Sequence, residues 1–254
     1  MKNRKVVLLV VCFVMFFVSL AEATYFSVVA ADNATFYCSF DTYNTPNSGY
    51  DVAIPGGVVN GANGLTAGIL GNALNGNIGP GTTTVTQPGV FSVEVWAKSD
   101  TAVYNNGGFI LRGSVYQSPL GVIMIGRGEN KVEFHIGWGA WYQDTITVAD
   151  PAKWNQFVMT FDNGAAAGGG ATATGKIYIN GDLVSTKTGG TVQLPTTYQS
   201  TFTVGDSFNG KVDEFSVYNG VLSQGQIQAH YNAIPEPATM ILLLGGVMGL
   251  IRRK

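Results

Sequence analysis

The sequence predicts an all-β domain for residues 24–232, and three observations support that fold class. Only 12% of the 254 residues are charged, while 34 are glycine, so the sequence is poor in the charged faces that surface helices present. Short runs alternate apolar and polar residues with the two-residue period of a half-buried strand. Clusters of Gly, Pro, Asn and Asp separate these runs, as turns do in antiparallel sheets.

The alternation is clearest at Phe91–Lys98. One face of this strand carries Phe91, Val93 and Val95. The opposite face carries Ser92, Glu94, Trp96 and Lys98. The same period predicts further strands at Thr35–Phe40, Gly108–Arg112, Val122–Ile125, Lys131–Ile136, Asp144–Val148, Gln156–Phe161, Lys176–Ile179, Asp182–Ser185, Phe202–Val204 and Val212–Tyr218.

Local chemistry assigns two connections and one helix. Asn180-Gly181 is the pair that tolerates positive φ at both central positions of a type I′ hairpin. Residues 163–175 are rich in Gly and Ala and predict a long hairpin connection. Ser223 as N-cap, with Gln226 three residues later, predicts a short helix over Gln224–Tyr231.

The N-terminus has the three parts of a secretory signal peptide. Residues 1–5 carry three cations, residues 6–20 are apolar, and Ala21-Glu22-Ala23 places small residues where signal peptidase reads them. We expect cleavage after Ala23, which makes residues 1–23 the signal peptide. A lipoprotein signal at Cys12 is disfavoured, because Val11 stands where a small residue is required.

The C-terminus, residues 233–254, has a more specific pattern. An apolar run follows Pro235-Glu236-Pro237-Ala238, and the chain ends with Arg252, Arg253 and Lys254. These parts, in this order, resemble the PEP-CTERM sorting signal of Gram-negative bacteria. The resemblance implies a hydrophobic transmembrane helix that holds the exported protein in the inner membrane until an exosortase-type enzyme cuts near the triplet. Because a stable span needs about 20 apolar residues, this shorter run suits temporary retention; an ordinary, uncleaved anchor is the alternative.

Several segments of the intervening domain resemble the laminin-G-like, concanavalin A-like jelly-roll modules of exported proteins. The segments are Phe36–Asp41, Gly71–Leu74, Phe91–Lys98, Trp154–Phe161 and Gly210–Asn219, the last followed by Leu222, Ser223 and the predicted helix. The resemblance implies a two-sheet antiparallel jelly-roll sandwich with rim loops available for ligands.

Charge and cysteine content limit the partners of the exported domain. Without the signal peptide and the residues after the triplet, 8 basic and 15 acidic residues remain, a formal charge of −7. This balance argues against nucleic acid as a partner. Cys38 is then the only cysteine, so no intrachain disulfide can form, and its apolar neighbours predict a buried small side chain.

The sequence shows no recognisable catalytic constellation, and we expect a non-enzymatic domain. Related retaining β-glucanases place their carboxylates on one strand as Glu-x-Asp-x-x-Glu, a spacing that does not occur here. Asp213 and Glu214 are adjacent and point to opposite faces of a strand. His135 and His230 lie in no recognisable motif, so we expect structural or surface roles for both and no zinc site.

One predicted loop combines aromatic and polar side chains, which is what a pyranose ring requires for packing and hydrogen bonding. Interior packing is the alternative for its two tryptophans, whereas Trp96 and Trp154 lie in strand patterns and are expected in the core. The candidate carbohydrate-binding residues are Trp138, Trp141, Tyr142 and Asp144.

The jelly-roll resemblance also implies a candidate calcium site. Asp41 and Asp213 occupy family-like segments whose carboxylates could bind one Ca²⁺ together with backbone oxygens. The alternative roles are a turn cap for Asp41 and a hydrogen bond to a neighbouring loop for Asp213.

The sequence therefore predicts an exported, non-catalytic protein of the cell envelope or extracellular matrix of a Gram-negative bacterium. We expect signal peptidase and an exosortase-type enzyme to process it, and extracellular polysaccharide to be its ligand. A purely structural surface protein that contacts other proteins is the competing hypothesis, and a glycan-active enzyme is the third.

Overall fold

The computed structural model describes residues 25–44, 49–53, 57–61, 64–76, 81–88, 90–113, 122–136, 142–162, 164, 172–189 and 197–234. The predicted signal peptide, its cleavage site and the predicted tail helix lie outside these residues. Within the described part of the chain, no helix is long and apolar enough to cross a membrane.

Strands account for most of the described residues. In chain order they are β1 (Ala34–Cys38), β2 (Tyr43–Asn44), β3 (Gly49–Val52), β4 (Gly57–Asn60), β5 (Leu65–Ala67), β6 (Asn72–Asn75), β7 (Gly81–Pro88), β8 (Phe91–Ser99), β9 (Phe109–Gly113), β10 (Val122–Gly126), β11 (Lys131–Ile136), β12 (Tyr142–Thr147), β13 (Asn155–Asp162), β14 (Thr174–Ile179), β15 (Asp182–Thr188), β16 (Thr197–Asp206) and β17 (Gly210–Tyr218). The described part of the chain also contains two helices, α1 over residues 25–31 and α2 at Gln224–Ala233.

The strands form two antiparallel sheets. Sheet A has the order β15-β14-β13-β8-β17-β6-β5, and β1 also pairs with β17. Sheet B has the order β12-β11-β10-β9-β16-β7-β4-β3-β2. The predicted two-sheet jelly-roll sandwich is confirmed.

The main core lies between the two sheets. Phe91, Val93 and Val95 of β8 are fully buried there, as the alternation of that strand predicts. Aromatic rings from both sheets meet in this layer; Phe134 of β11 and Phe157 of β13 have their ring centroids 5.9 Å apart. Cys38 is also fully buried in this core, which confirms its prediction as a small interior side chain.

A second apolar layer covers the outer face of sheet A. The outward residues Trp96 and Val158 are buried beneath Tyr25 and Val29 of α1 and Ile227 of α2. No helix of the described residues covers the outer face of sheet B in the same way. Among the described residues, the sandwich therefore has one outer face closed by helices and one formed by strands alone.

Local predictions were confirmed where turn and cap chemistry is specific. Asn180 and Gly181 have φ of 53° and 83° and connect the paired β14 and β15. Ser223 caps α2, and with Gln226 it forms the expected capping box. The strand predicted at Asp144–Val148 instead spans Tyr142–Thr147.

The strands β2 to β7 and the helix α1 were not predicted, apart from the short segment that includes β6. In β7 the sequence GTTTVTQP contains one aliphatic residue, so the two-residue apolar period that marks a strand is missing. Pairing with β16 over eight residue pairs, from Thr197↔Pro88 to Val204↔Gly81, makes β7 a strand in spite of its composition.

Candidate functional site

The outer face of sheet B carries a group of polar side chains that begins on β11. Val132, Phe134 and Ile136 of this strand enter the core, so the two-residue period turns Glu133 and His135 outward. Across the register, these two face Thr145 and Gln143 of β12, respectively. One segment of strand thus presents a carboxylate and an imidazole to the helix-free face.

The pairing registers extend this group across the sheet. His135 lies opposite Ile123 of β10, Ile123 opposite Arg112 of β9, and Arg112 opposite Thr203 of β16. Directly opposed residues have their Cβ atoms about 4.5–5.5 Å apart, so these side chains form a continuous line. We call this line the polar row; its members are Gln143, His135, Ile123, Arg112, Thr203 and Thr82.

Glu133, beside the polar row, is held by its neighbours. Arg127 Nη2 donates to Glu133 Oε1 at 2.5 Å, and His135 Nε2 contacts the same oxygen. Thr145 Oγ1 lies 3.5 Å from the other oxygen, Oε2. The hydrogen bond from Arg127 is the largest influence and lowers the pKa of Glu133 to about 2. Glu133 is therefore an ionised, fixed hydrogen-bond acceptor at neutral pH, and a poor proton donor for acid catalysis.

Arg112 is fixed from two sides. Its Nη2 lies 3.0 Å from Asp206 Oδ2, and its Cζ lies 4.8 Å from the centroid of the Phe109 ring. The Arg112 side chain remains 41% exposed, so guanidinium hydrogens not used by Asp206 face solvent. An oriented but accessible guanidinium suits a ligand with closely spaced oxygen atoms.

The predicted carbohydrate-binding residues are only partly described. Trp138 and Trp141 lie outside the described residues. Tyr142 is 4% exposed and belongs to the core between the sheets. Its hydroxyl contacts Ser185 Oγ, which in turn contacts Asp144 Oδ2. In the structure, Tyr142 and Asp144 thus bridge β12 of sheet B and β15 of sheet A.

The predicted calcium ligands also have hydrogen-bond partners. Asp213 is fully buried, and its two oxygens accept from the Ile69 and Glu214 backbone N–H groups at 2.9 and 3.0 Å. Asp41 accepts from the backbone N–H of Asn72 at 2.8 Å. Burial, reinforced by the neighbouring Glu214, raises the pKa of Asp213 well above its ordinary range.

These contacts restrict the calcium prediction. Among the described residues, no group of three or more His, Cys, Asp or Glu side chains could hold a metal ion. Because Ca²⁺ takes about 6–8 oxygen ligands, Asp41 and Asp213 would need backbone carbonyls or water for the remainder. Calcium binding stays a prediction.

A second polar cluster is buried beneath the helices of sheet A, around Glu94. Tyr25 and Gln156 donate to Glu94 Oε1 at 2.9 and 2.6 Å, and Tyr218 donates to Oε2 at 2.9 Å. His230 Nδ1 lies 2.7 Å from Glu94 Oε2. Both Glu94 and His230 are fully buried.

The imidazole of His230 lies between two carboxylates. Its Nε2 is 2.9 Å from Asp32 Oδ2, so both ring nitrogens donate and the ring is a cation. Burial alone would lower the pKa of His230, but Glu94 and then Asp32 raise it overall. Burial likewise opposes the charged form of Glu94, yet the charge and hydrogen bond of His230 lower its pKa overall. This cluster joins α1, α2 and sheet A and has a structural role.

The polar residues of sheet B were missed because sequence reasoning followed the tryptophans. A signal was available in Lys131–Ile136, where Val132, Phe134 and Ile136 alternate with charged or polar residues. That pattern indicates that Glu133 and His135 share a face, but it does not indicate that Arg127 contacts Glu133 or that Arg112 lies two strands away in the same row. Both arrangements depend on pairing between strands.

The two packed antiparallel sheets define a jelly-roll domain. The chain belongs to the concanavalin A-like lectin/glucanases superfamily, whose family model matches residues 73–228. A second family model, that of the PEP-CTERM protein-sorting motif, matches residues 233–254. This motif implies export across the inner membrane to the cell surface and processing by an exosortase-type system. No curated protein matches the sequence.

Solved structures share the fold at low sequence identity. Domain 4 of AbnA, a GH43 extracellular arabinanase from Geobacillus stearothermophilus determined in complex with arabinotriose, is 18% identical, with a TM-score of 0.56; the match covers 80% of this chain and 98% of that chain. The botulinum neurotoxin type G receptor binding domain is 14% identical with a TM-score of 0.51, and the serotype D/C VPI 5993 binding domain is 16% identical with a TM-score of 0.56. The matches cover 79% and 81% of this chain but only 51% and 53% of the two neurotoxin chains.

Proposed function

We propose that the protein is an exported, non-catalytic carbohydrate-binding protein of the cell surface or extracellular matrix of a Gram-negative bacterium. Its tail retains it temporarily in the inner membrane through Arg252, Arg253, Lys254 and the preceding apolar run. An exosortase-type enzyme then cuts near Pro235–Ala238. The ligand is an extracellular polysaccharide.

The observation that carries this proposal is the polar row with its fixed carboxylate, on the helix-free face. Sugars present pairs of neighbouring hydroxyls, which are bound well by planar side chains held in place before the ligand arrives. Glu133, His135 and Arg112 are such side chains, and Gln143 forms a side-chain hydrogen bond with Glu133. Ile123 lies among them and is partly exposed, so it offers an apolar surface to the C–H face of a ring.

The similar structures support the proposal without locating a site. Domain 4 of the arabinanase was determined in complex with arabinotriose. The type G neurotoxin domain is a receptor binding domain, and the serotype D/C domain is a binding domain. Because fold alone does not fix function, the side chains of the polar row remain the main support.

The test is glycan-array binding by the full chain purified in detergent, followed by calorimetry with the best polysaccharide. We expect Glu133→Gln to weaken binding at least about tenfold, because a charged acceptor contributes about 1.5–3 kcal/mol per hydrogen bond. Glu129→Gln is the matched control: the Glu129 side chain is 75% exposed, and it pairs with Lys131 at the β10–β11 turn. Equal effects of the two substitutions would contradict the site.

The tryptophans provide an independent test of the same function. Replacing Trp138 and Trp141 together by Ala should abolish glycan binding and leave the melting temperature nearly unchanged. A large loss of stability would instead assign both rings to the interior. If the unmodified chain binds no glycan, the structural hypothesis, in which the domain contacts other proteins, takes precedence.

A further inference from the structure

Both ends of the described domain lie on the outer face of sheet A. Tyr25, in α1, is fully buried there, and its ring centroid is 6.3 Å from that of His230 in α2. Both side chains bind Glu94 of β8. The two helices are thus held side by side on one face, next to the predicted signal-peptide and sorting segments.

The chain leaves the domain close to the predicted membrane segment. Ile234 is 7% exposed and packs in the apolar layer beneath the helices. Only Pro235–Ala238 separates it from the apolar run that starts at Thr239. Because an extended chain spans at most about 3.5 Å per residue, a tail inserted in a bilayer keeps Ile234, on this side of the domain, within about 18 Å of the membrane surface.

The exposed surface of the two helices carries no formal charge. We call it the helical face; its exposed residues are Phe26, Ser27, Ala30, Ala31, Gln224, Gly225, Gln228, Ala229 and Asn232. The nearby Asp32 binds His230. Of the 14 basic residues in the chain, six lie in residues 1–5 and 252–254, so the domain between them is acidic. An acidic domain is repelled by anionic lipid, and an uncharged face minimises that repulsion.

We propose that the helical face lies against the bilayer surface while the tail is inserted, so that the polar row of sheet B points away from the membrane. The partner of this surface is the phospholipid headgroup layer. The inference rests on the membrane-retention step of the proposed function, but not on carbohydrate binding. Its consequence is that the polar row is accessible to extracellular polymers before the protein is released.

Cysteine accessibility in proteoliposomes tests this orientation. The chain from Thr24 to Lys254, as expected after signal-peptide cleavage, carries one new cysteine, Ala30→Cys or Ala229→Cys on the helical face, or Thr147→Cys or Thr201→Cys on sheet B, all at exposed positions. Vesicles contain phosphatidylethanolamine and phosphatidylglycerol. For each variant, we divide the labelling rate of a polyethylene glycol maleimide of about 5 kDa by the labelling rate of N-ethylmaleimide. The small reagent corrects this ratio for differences in thiol reactivity. The native buried Cys38 is measured in the unsubstituted chain and subtracted.

The expected ratio is at least about tenfold lower at positions 30 and 229 than at 147 and 201. Inserting about 20 Gly and Ser residues after Ala238 creates a flexible tether and should make the four ratios converge. Equal ratios without the insertion, or protection that persists despite it, would overturn the orientation. Protection found in cells but not in these enzyme-free vesicles would also overturn it, because the partner would then be a protein.

Two failures can be distinguished. If the chain does not float with the vesicles, membrane retention itself is wrong, and the labelling carries no weight for either face. If it floats and all four positions label alike, retention stands and the orientation is wrong. Glycan binding is measured separately, so its outcome does not alter this test.

Discussion

Each sheet turns outward a glutamate that meets a histidine, and the two glutamate–histidine pairs differ in what covers them. Glu94 and His230 meet beneath the helices of sheet A, where both side chains are fully buried. Glu133 and His135 meet on the helix-free face of sheet B, where the side chains are 10% and 18% exposed. The same two residue types serve as an internal joint in one region and as a candidate ligand site in the other.

The comparison shows how burial changes the role of similar groups. The side chains of Tyr25, Gln156, Tyr218 and His230 surround the two oxygens of Glu94, which has no exposed surface. The side chain of Glu133 keeps 10% of its surface exposed, where water or a ligand can approach. A buried ion pair must be satisfied by the protein alone, whereas an accessible one can exchange solvent for a ligand.

The largest expected effect is on stability. Glu94→Ala should lower the free energy of unfolding by about 3–5 kcal/mol, because it leaves the buried His230 without its main counter-charge. Glu133→Ala should cost about 1 kcal/mol or less, since water can solvate Arg127 once its partner is gone. Urea denaturation followed by tryptophan fluorescence measures both. Similar losses for the two variants would remove the distinction between the faces.

A second prediction concerns pH. The pKa of His230 is raised above its ordinary value of 6.5, so its ion pair stabilises the fold fully below about pH 6.5 and less as pH rises through the folded-state pKa. The pKa of Glu94 is lowered from 4.5, so its contribution is present above about pH 4.5 and is lost as pH falls through the folded-state pKa.

The melting temperature of the wild-type chain should therefore exceed that of His230→Gln most between about pH 4.5 and 6.5. Glu133→Gln is the control. The pKa of Glu133 is about 2, so the difference between this variant and the wild type should not change above about pH 5. If the melting temperature of the wild type exceeds that of His230→Gln by the same amount into alkaline pH, His230 is not charged and the prediction is wrong.

A third prediction concerns Asp213, where the expected loss of stability is smaller than at Glu94. Asp213→Ala should cost about 1–3 kcal/mol, because two buried backbone N–H groups lose their acceptor. The calcium hypothesis requires in addition that millimolar Ca²⁺ produce calorimetric heat with the wild-type chain and none with Asp213→Asn or Asp41→Asn. If the wild type gives neither heat nor a thermal shift, Asp41 and Asp213 act through hydrogen bonds alone.

Much of the architecture could be predicted because its signals are local. The alternation at Phe91–Lys98 indicates which residues enter the core, and Asn180-Gly181 and Ser223 mark a turn and a helix start by their own chemistry. Strands such as β7 could not be predicted in this way. Their residues have little periodic apolarity, and only pairing with a neighbouring strand gives them extended structure.

The candidate site, like the fold, has features that depend on local sequence and features that depend on contacts distant in the chain. The sequence by itself determined the sorting motif, the all-β class and the outward position of Glu94, because each depends on residues close in the chain. Only the tertiary structure decided that Arg127 binds Glu133, and that α1 and α2 bury Glu94 with His230. Those contacts join residues that only the pairing of strands and the packing of helices bring together, and burial, which separates the two glutamates, is a property of the whole fold.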